Sequence, residues 1–188
     1  MKNEELDFWV IRLKNNDPEA FEKVYELTKT KVVKTVYCLI KNKDDLDDIV
    51  NEIYLNMWKY ISTYDTNKSF ILWLNGIVYN QVNNWKRKVW RRFRLFEKQC
   101  ESNSLEIDST FFDDSISLEL KEHIDKLPIK LKSIIIYRYY LDFTYEQISE
   151  VLDLPLSTVK LRNKSALKKM FQYIDLSSEK VEPITLMK

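Results

Sequence analysis

Apolar residues recur at three- and four-residue spacings along most of the chain, which is the periodicity of amphipathic α-helices. Asp17 and Pro18 are typical of a helix start, with an aspartate as N-cap and a proline at the first helical position. The most continuous apolar stripe lies between residues 46 and 61, and another helical segment begins at Phe70. The pattern predicts four helices in residues 1–96, separated by polar interruptions at 15–16, 42–43 and 64–69.

The helical period fails between residues 97 and 117, where serine, asparagine, aspartate and glutamate dominate. Residues 176–188 also lack a period and are predicted to form a tail. We expect the last helix to begin with Ser157 as its N-cap. The expected fold class is all-α, with two helical domains at 1–96 and 118–175 joined by a flexible acidic linker over 97–117. In the second domain the period predicts helices over 118–127, 131–141, 144–152 and from 157 to about 173.

The scarce residue types exclude several classes of protein. The single glycine rules out the glycine-rich phosphate loops of P-loop and Rossmann proteins. One histidine, His123, and two cysteines, Cys38 and Cys100, do not make a credible four-ligand zinc site. No cluster of acid, base and nucleophile stands out. We therefore expect no enzymatic activity, no metal, no cofactor and no small-molecule substrate.

No apolar run approaches the roughly 20 residues that a membrane-spanning helix needs. The first seven residues carry acids and no apolar stretch, unlike a secretory signal. Lone thiols also suit a reducing compartment. We expect a cytoplasmic setting and no membrane insertion.

The formal net charge of +1 hides a strong segregation of charge along the chain. Basic residues dominate 86–98, where aromatic residues are interleaved with them, and they dominate 160–169. Acidic residues dominate 101–125 between these two segments. Basic helix faces bind phosphates, and aromatic rings stack on unpaired bases. Either segment alone fits a solvated helix face equally well, but two on one chain favour a nucleic-acid partner.

Residues 144–169 have the pattern of a helix-turn-helix. Thr144 and Gln147 can form a capping box at the start of the first helix. A three-residue turn containing Asp153 leads to a second helix that is polar and basic on its outer side. Such a helix fits a DNA major groove, although an ordinary helical hairpin has the same spacing. The residues expected to face outward are Lys160, Leu161, Lys164 and Ser165.

At these residues the chain resembles region 4 of the extracytoplasmic-function (ECF) sigma factors of bacterial RNA polymerase. The resemblance is carried by "IDKLPIKLKSIIIYRYYLDFTYEQISEVLDLPLSTVKLRNKSALKKM". In the N-terminal half, "DDLDDIVNEIYLNMW" is similar to region 2.2, and "SFILWLNGIVYNQVNNWKRK" is similar to regions 2.3 and 2.4. The motifs cover about 17–170 in the family's order. The resemblance implies a sigma factor that directs core RNA polymerase to specific promoters for transcription initiation.

The resemblance also implies partners for particular residues. The 2.2 helix of the family docks on the clamp helices of the polymerase β′ subunit, and region 4 meets the β flap. Asp48 and Glu52 lie one helical turn apart and can offer paired acids to a basic partner, although solubilising the helix would explain them as well. The family leads us to expect an anti-sigma factor too. The implied core-polymerase contacts are Asp48, Asn51, Glu52 and Tyr54.

Two sets of residues match the family's promoter-binding positions. The loop and helix expected to capture unstacked bases of the −10 element comprise Tyr64, Asp65, Thr66, Asn67, Lys68, Ser69, Phe70, Asn80, Asn84, Trp85, Arg87 and Lys88. The helix expected to read the −35 duplex contributes Ser157, Thr158, Lys160, Leu161, Arg162, Lys164, Ser165 and Lys168.

Four positions depart from the family's pattern. Asp153 stands where glycine is usual in the helix-turn-helix turn, and Asn163 stands where an apolar residue is usual. Asn84 and Tyr79 replace the common aspartate and arginine of region 2.4. These departures affect the promoter sequence more than the role. The alternative function is a stand-alone helix-turn-helix regulator, which would explain the second domain but not the region 2 motifs.

Overall fold

The structure is a computed structural model that describes residues 4–40, 43–95 and 118–178. Every regular element within these residues is helical, so the predicted all-α class with two helical domains is confirmed. The chain divides into two compact units, one formed by the helices before residue 96 and one formed mainly by those after residue 117. The predicted linker, 97–117, and the end of the predicted tail lie outside the described residues. In the described part, no helix has the length and apolar character to cross a membrane.

The first unit is built from helices α1 (Glu4–Lys14), α2 (Pro18–Leu39), α3 (Leu46–Tyr60) and α4 (Phe70–Leu95), with a 3₁₀ turn at Ile61–Thr63. Asp17 caps α2 as predicted, since its Oδ1 accepts a hydrogen bond from the Glu19 amide at 3.0 Å. Its other carboxylate oxygen accepts from Arg12 Nε at 2.7 Å, which ties α1 to the start of α2.

Helix α3 packs against both α2 and α4. Its apolar stripe is buried, as its spacing predicted, through Ile49, Val50, Ile53, Tyr54 and Met57. The Tyr54 hydroxyl lies 2.9 Å from Thr28 Oγ1. Because Thr28 donates its only hydroxyl proton to the Val24 carbonyl at 2.6 Å, Tyr54 is the donor to Thr28. Burial raises the pKa of Tyr54, so this phenol stays protonated and can keep donating.

The second unit is formed by α5 (Leu118–Asp125), α6 (Ile129–Ile135), a π-helical stretch (Ile136–Tyr140), most of α7 (Tyr145–Leu152) and α8 (Leu156–Ser178). Pro128 is the N-cap of α6, so this helix begins two residues before the predicted start at 131. A buried lysine, Lys132, forms an ion pair of 2.6 Å with Asp125 on α5. The predicted helix over 131–141 changes character halfway, because the Leu141 amide bonds to the Ile136 carbonyl five residues earlier.

The helix-turn-helix is present with one boundary shifted. The predicted capping box forms: the Gln147 amide donates to Thr144 Oγ1 at 3.2 Å, and the Thr144 amide donates to Gln147 Oε1 at 2.8 Å. The expectation that Ser157 is the N-cap of the last helix is wrong, because α8 begins at Leu156 and its first turn is closed by the Val159 amide on the Pro155 carbonyl. Helix α8 also continues to Ser178, beyond the predicted end near 173.

The turn between α7 and α8 depends on a left-handed residue. Asp153 has φ 51°, a conformation that glycine adopts without strain and that other residues adopt at a cost. The amide of the next residue, Leu154, bonds to the Ser149 carbonyl at 3.0 Å, and the Ser149 hydroxyl donates to the Leu154 carbonyl. These bonds hold the turn closed around Asp153.

Substitutions at Asp153 should therefore change the free energy of unfolding according to how readily the new residue adopts a positive φ. Asp153→Val should lower the free energy of unfolding by about 1–2 kcal/mol, because a β-branched residue is strained at positive φ. Asp153→Gly should leave it unchanged or raise it. Thermal and urea denaturation measure both variants, and equal destabilisation by valine and glycine would contradict the role assigned to this backbone angle.

Candidate protein- and DNA-binding surfaces

The outward face of α3 is acidic in its first half and apolar in its second. Asp48, Asn51 and Glu52 are exposed, as expected for a contact surface, and within the described residues no hydrogen bond or ion pair occupies their side chains. Asp48 also lies in the first turn of α3, where the helix dipole favours a negative charge. This half of the helix therefore offers unneutralised carboxylates to a basic partner.

The expected contact residue Tyr54 is placed differently, and that expectation is corrected. Its side chain is only 3% exposed, because it belongs to the same stripe as Ile53 and Met57 and its hydroxyl is bonded to Thr28. Besides Tyr60 at its C-terminal end, the exposed apolar residues of this helix are Leu55 at 62% and Trp58 at 41%. With Asn51 they follow the four- and three-residue spacing of one helix face, a signal in the sequence that could have identified them.

The loop between α3 and α4 is held by aromatic side chains. Tyr64 and Phe70 are buried, with ring centroids 5.5 Å apart, and Trp73 lies 5.3 Å from Tyr64. The Tyr64 hydroxyl donates to the Lys68 carbonyl at 2.5 Å, so the ring also anchors the far side of the loop. The expectation that Tyr64 and Phe70 bind bases directly is therefore corrected, because both side chains support the loop from inside.

The residues between these anchors are exposed: Asp65, Thr66, Asn67, Lys68 and Ser69. Asp65 Oδ1 accepts from both the amide and the Nδ2 of Asn67, each at 3.0 Å. These bonds to Asn67 lower the pKa of Asp65, so the carboxylate that shapes the loop tip stays ionised. The tip presents amide, hydroxyl and amine groups that can bond to the edges of an unstacked base.

The C-terminal half of α4 carries the other expected −10 residues. Asn80, Asn84, Arg87 and Lys88 are exposed, whereas Trp85 is half-buried. The indole Nε1 of Trp85 is buried and has no hydrogen-bond partner among the described residues. The ring is thus neither a fully buried core residue nor a freely exposed one, and it can provide a stacking surface beside two cations.

A groove of about 590 Å³ separates α3 from this half of α4. Asp45, the N-cap of α3, lines one wall together with Asp48, Asn51 and Glu52 of that helix. The α4 wall carries Gln81, Asn84, Trp85, Arg87, Lys88 and Arg91. The structure therefore brings together two sets of residues that the sequence suggested for different partners. Asn80 and the 64–70 loop do not line this groove.

Helix α8 presents the expected basic surface. Ser157, Lys160, Leu161, Lys164 and Lys168 are exposed, and Leu161 is 65% exposed. Ser165 is half-buried and its hydroxyl bonds to the Leu161 carbonyl of its own helix at 3.0 Å. An exposed leucine between lysines suits apolar contact with a thymine methyl group in the major groove. Thr158 and Arg162 are half-buried at the edges of this surface.

A polar cluster beside α8 had no signal in the sequence beyond the unusual Asn163. This side chain is buried and its Nδ2 donates to the hydroxyl oxygens of Tyr145 at 2.9 Å and Tyr139 at 3.3 Å. Sequence spacing gives no means of pairing residues from the π-helical stretch, α7 and α8 in this way.

Two families match this chain. Residues 24–92 match the family described as Sigma-70 region 2, and residues 117–170 match the family described as Sigma-70, region 4. The two segments together span well over half of the chain. The first contains α3, the loop and most of α4, and the second contains the helix-turn-helix.

Relatives match along nearly their whole length. The chain is 27% identical over 175 residues to the ECF RNA polymerase sigma factor SigW of Bacillus subtilis, a match that covers 86% of this chain and 94% of that protein. It is 24% identical over 187 residues to the ECF RNA polymerase sigma-E factor of Haemophilus influenzae, covering 93% and 94%.

The fold is similar to that of the sigma factor RpoE from Bartonella quintana, whose structure was solved in complex with the anti-sigma factor NepR. The TM-score is 0.70 at 18% identity, over 82% of this chain and 96% of that chain. At this identity the likeness concerns the fold alone. Taken together with the ordered matches to regions 2 and 4 and with the full-length relatives, it leads to one assignment: the chain belongs to the ECF sigma factors of the sigma-70 family, the RNA polymerase subunits of transcription initiation.

Proposed function

We propose that this sigma factor binds core RNA polymerase through the outward face of α3 and recognises promoters through the α3–α4 loop, α4 and α8. The observation that carries the proposal is the presence, on one chain, of an unneutralised acidic and apolar face on α3 and a basic recognition helix. A stand-alone DNA-binding regulator has no need of the first surface. The chain acts by binding, without enzymatic chemistry of its own, and works in the cytoplasm where the polymerase is.

The polymerase surface has an electrostatic part and an apolar part. Asp48 and Glu52 would pair with basic side chains of the β′ clamp helices, and Asn51 would add hydrogen bonds. Leu55 and Trp58 would replace Tyr54 as the apolar contacts, because exposed leucine and tryptophan gain most from burial in an interface. Tyr54 acts indirectly, by holding α3 against α2.

Promoter recognition would be divided between the two units. In the first unit, the tip of the 64–70 loop and the exposed polar groups of α4 would hold unstacked −10 bases, offsetting an unstacking cost of a few kcal/mol. In the second, Lys160, Leu161 and Lys164 would face bases of the −35 duplex, while Lys168 would bind phosphate. We assign these roles to a region 2 domain at 1–96 and a region 4 domain at 118–175, with 97–117 as the linker and 176–188 as a tail. The second domain would also meet the β flap.

An anti-sigma factor is a further proposed partner. The relative of known structure from Bartonella quintana is bound to one. The exposed α3 face and the basic α8 face of this chain are both surfaces that such a protein can cover. Occupation of either would prevent polymerase or promoter binding.

Run-off transcription with purified core polymerase tests the proposal. We expect a promoter-dependent product only when both this protein and core polymerase are present, on templates selected from genomic fragments by the reconstituted complex. Loss of the product when core is omitted is the control. Absence of both a product and a complex with core would overturn the proposed function.

Reversing charge on α3 should weaken polymerase binding specifically. Asp48→Lys with Glu52→Lys should reduce affinity for core at least tenfold, because the two carboxylates would be replaced by cations facing a basic partner. Asp47→Lys is the matched control, since Asp47 is an exposed acid in the same first turn that does not line the groove. Binding is measured by fluorescence anisotropy and folding by thermal denaturation. Equal loss of affinity in the control and the double variant would contradict the assignment of the α3 face.

The contribution of α8 to DNA binding can be measured from the dependence of DNA affinity on salt concentration. Lys164→Gln should lower the slope of log affinity against log salt concentration by about 0.9, because one fewer cation is released from the DNA. Lys130→Gln is the control, since Lys130 is an exposed lysine of the same unit that belongs to α6 and not to the recognition helix. An unchanged slope in Lys164→Gln would place this lysine outside the DNA contact.

A further inference from the structure

Two tyrosine hydroxyls converge on one buried side chain at the edge of the recognition helix. Asn163 of α8 donates through Nδ2 to Tyr145 at 2.9 Å and to Tyr139 at 3.3 Å. Tyr139 comes from the π-helical stretch and Tyr145 from the first residue of α7, so three elements of the second unit meet here. The Oδ1 atom of Asn163 is buried and has no hydrogen-bond partner in the part of the chain that the structure describes. An apolar residue would avoid this unpaired oxygen, so the asparagine calls for an explanation other than stability.

The hydrogen bonds leave each phenol with a proton to donate. An amide NH₂ group has two hydrogens, so Nδ2 of Asn163 can donate one to each tyrosine oxygen. Both hydroxyls therefore act as acceptors toward Asn163. Within the described part of the chain, no other hydrogen bond is made by the Tyr139 hydroxyl. Its own proton is free for an acceptor outside this unit.

Tyr139 is the member of the cluster that reaches solvent, with 56% of its side chain exposed. A π-helical turn carries an additional residue and changes the direction in which side chains leave the helix, and such turns are frequent at functional sites. Asn163 lies one turn from Lys160 and next to Lys164, both of which are exposed. The Arg138 guanidinium adds another cation, 5.2 Å from the Tyr145 ring centroid. Positive charge and a free O–H donor thus occur along the same edge of α8.

A phosphate oxygen is the acceptor that fits this edge. Tyrosine hydroxyls are among the groups that bind DNA phosphates, and such contacts fix the register of a protein on the duplex without reading its sequence. We propose that the Tyr139 hydroxyl, oriented by Asn163, donates a hydrogen bond to a backbone phosphate of the DNA duplex that α8 contacts. The proposal rests on the proposed function of α8 and adds a backbone contact that the basic residues alone do not supply. Asn163 is a positioning residue in this arrangement.

Removing one oxygen atom tests the contact. The probes are the duplex most enriched from a randomised library by the complex of this protein with core polymerase, and a scrambled version of that duplex. Tyr139→Phe should weaken binding of the full-length protein in this complex to both probes by a similar factor of about five to ten. Discrimination between the probes should be unchanged, because the contact carries no sequence information. The salt slope should also be unchanged, since tyrosine releases no counterion.

Tyr60→Phe is the matched control. Tyr60 is an exposed tyrosine of the first unit, and its substitution removes the same atom. We expect it to leave affinity for both duplexes unchanged. Thermal denaturation of Tyr139→Phe should show little change, because the bond it loses is long and lies at an exposed side chain.

Asn163→Leu separates positioning from stability. Leucine should keep or raise the melting temperature, because it removes a buried oxygen without a partner. Affinity should nevertheless fall about as far as in Tyr139→Phe, and the double variant should be no weaker than either single variant. Additive losses would overturn the positioning role of Asn163.

The remaining outcomes are distinguishable. If the wild-type complex selects a duplex and Tyr139→Phe binds it as tightly as wild type does, the phosphate contact is wrong and the function of α8 stands. If Tyr139→Phe changes the preferred sequence, the hydroxyl reads a base and the proposal is also wrong. If the wild-type complex selects no duplex over its scrambled version, the proposed promoter recognition fails, and this contact fails with it.

Discussion

The burial of one face of α3 is the constraint on which the first unit depends. This helix packs against both α2 and α4, and its apolar stripe fills the space between them. Ile53 and Met57 are fully buried, so their removal would leave cavities that close-packed neighbours fill only partly. Because that face is buried, the residues on the opposite side of the helix point outward. These are Asp48, Glu52, Leu55 and Trp58. The protein-binding surface is thus a consequence of core packing.

The hydrogen bond from Tyr54 to Thr28 restricts how α3 can rotate about its own axis against α2. Apolar contacts tolerate small rotations of a helix, but a buried donor loses its partner when the helix turns. The hydroxyl proton of Thr28 is donated to the Val24 carbonyl, so in the bond between Tyr54 and Thr28 only Tyr54 can be the donor. It fixes the rotation of α3 about its axis and, with it, the direction of the carboxylates outside. Arg87 and Lys88 line the opposite wall of the groove that these carboxylates line.

Local chemistry in this sequence was sufficient to predict most of the fold. The period of apolar residues gave the helices, and the side chains of Asp17, Thr144 and Gln147 gave two helix starts, because capping acts over three residues or fewer. Prediction was weaker for aromatic residues, whose rings can serve either the core or a contact surface. Tyr54, Tyr64 and Phe70 were assigned to contact surfaces from their place in a motif, and all three are buried. Ser157 is a good N-cap by type, but the chain enters the helix one residue earlier, after Pro155.

Contacts between distant segments had no local signal. The groove joins residues of α3 to residues of α4 some thirty positions later, and the Asn163 cluster joins three elements. Neither follows from spacing, because both depend on how helices pack. The departure of Asn163 from an apolar residue marked the position without indicating its partners. On a single helix face the period is enough to predict exposure: Lys160, Leu161 and Lys164 of α8 are exposed, whereas Ser165, also expected to face outward, is half-buried.

The left-handed residues have a consequence for the unfolded chain. Asn16, Asp142 and Asp153 adopt positive φ at the ends of helices, and no glycine does so. A chain with one glycine in 188 residues has fewer backbone conformations to lose when it folds than a chain that uses glycine at each such turn. The strain accepted at these three residues is thus offset by a less disordered starting state. The lower conformational entropy of the unfolded chain, which no contact in the native structure reveals, therefore contributes to the stability of a fold that contains these turns.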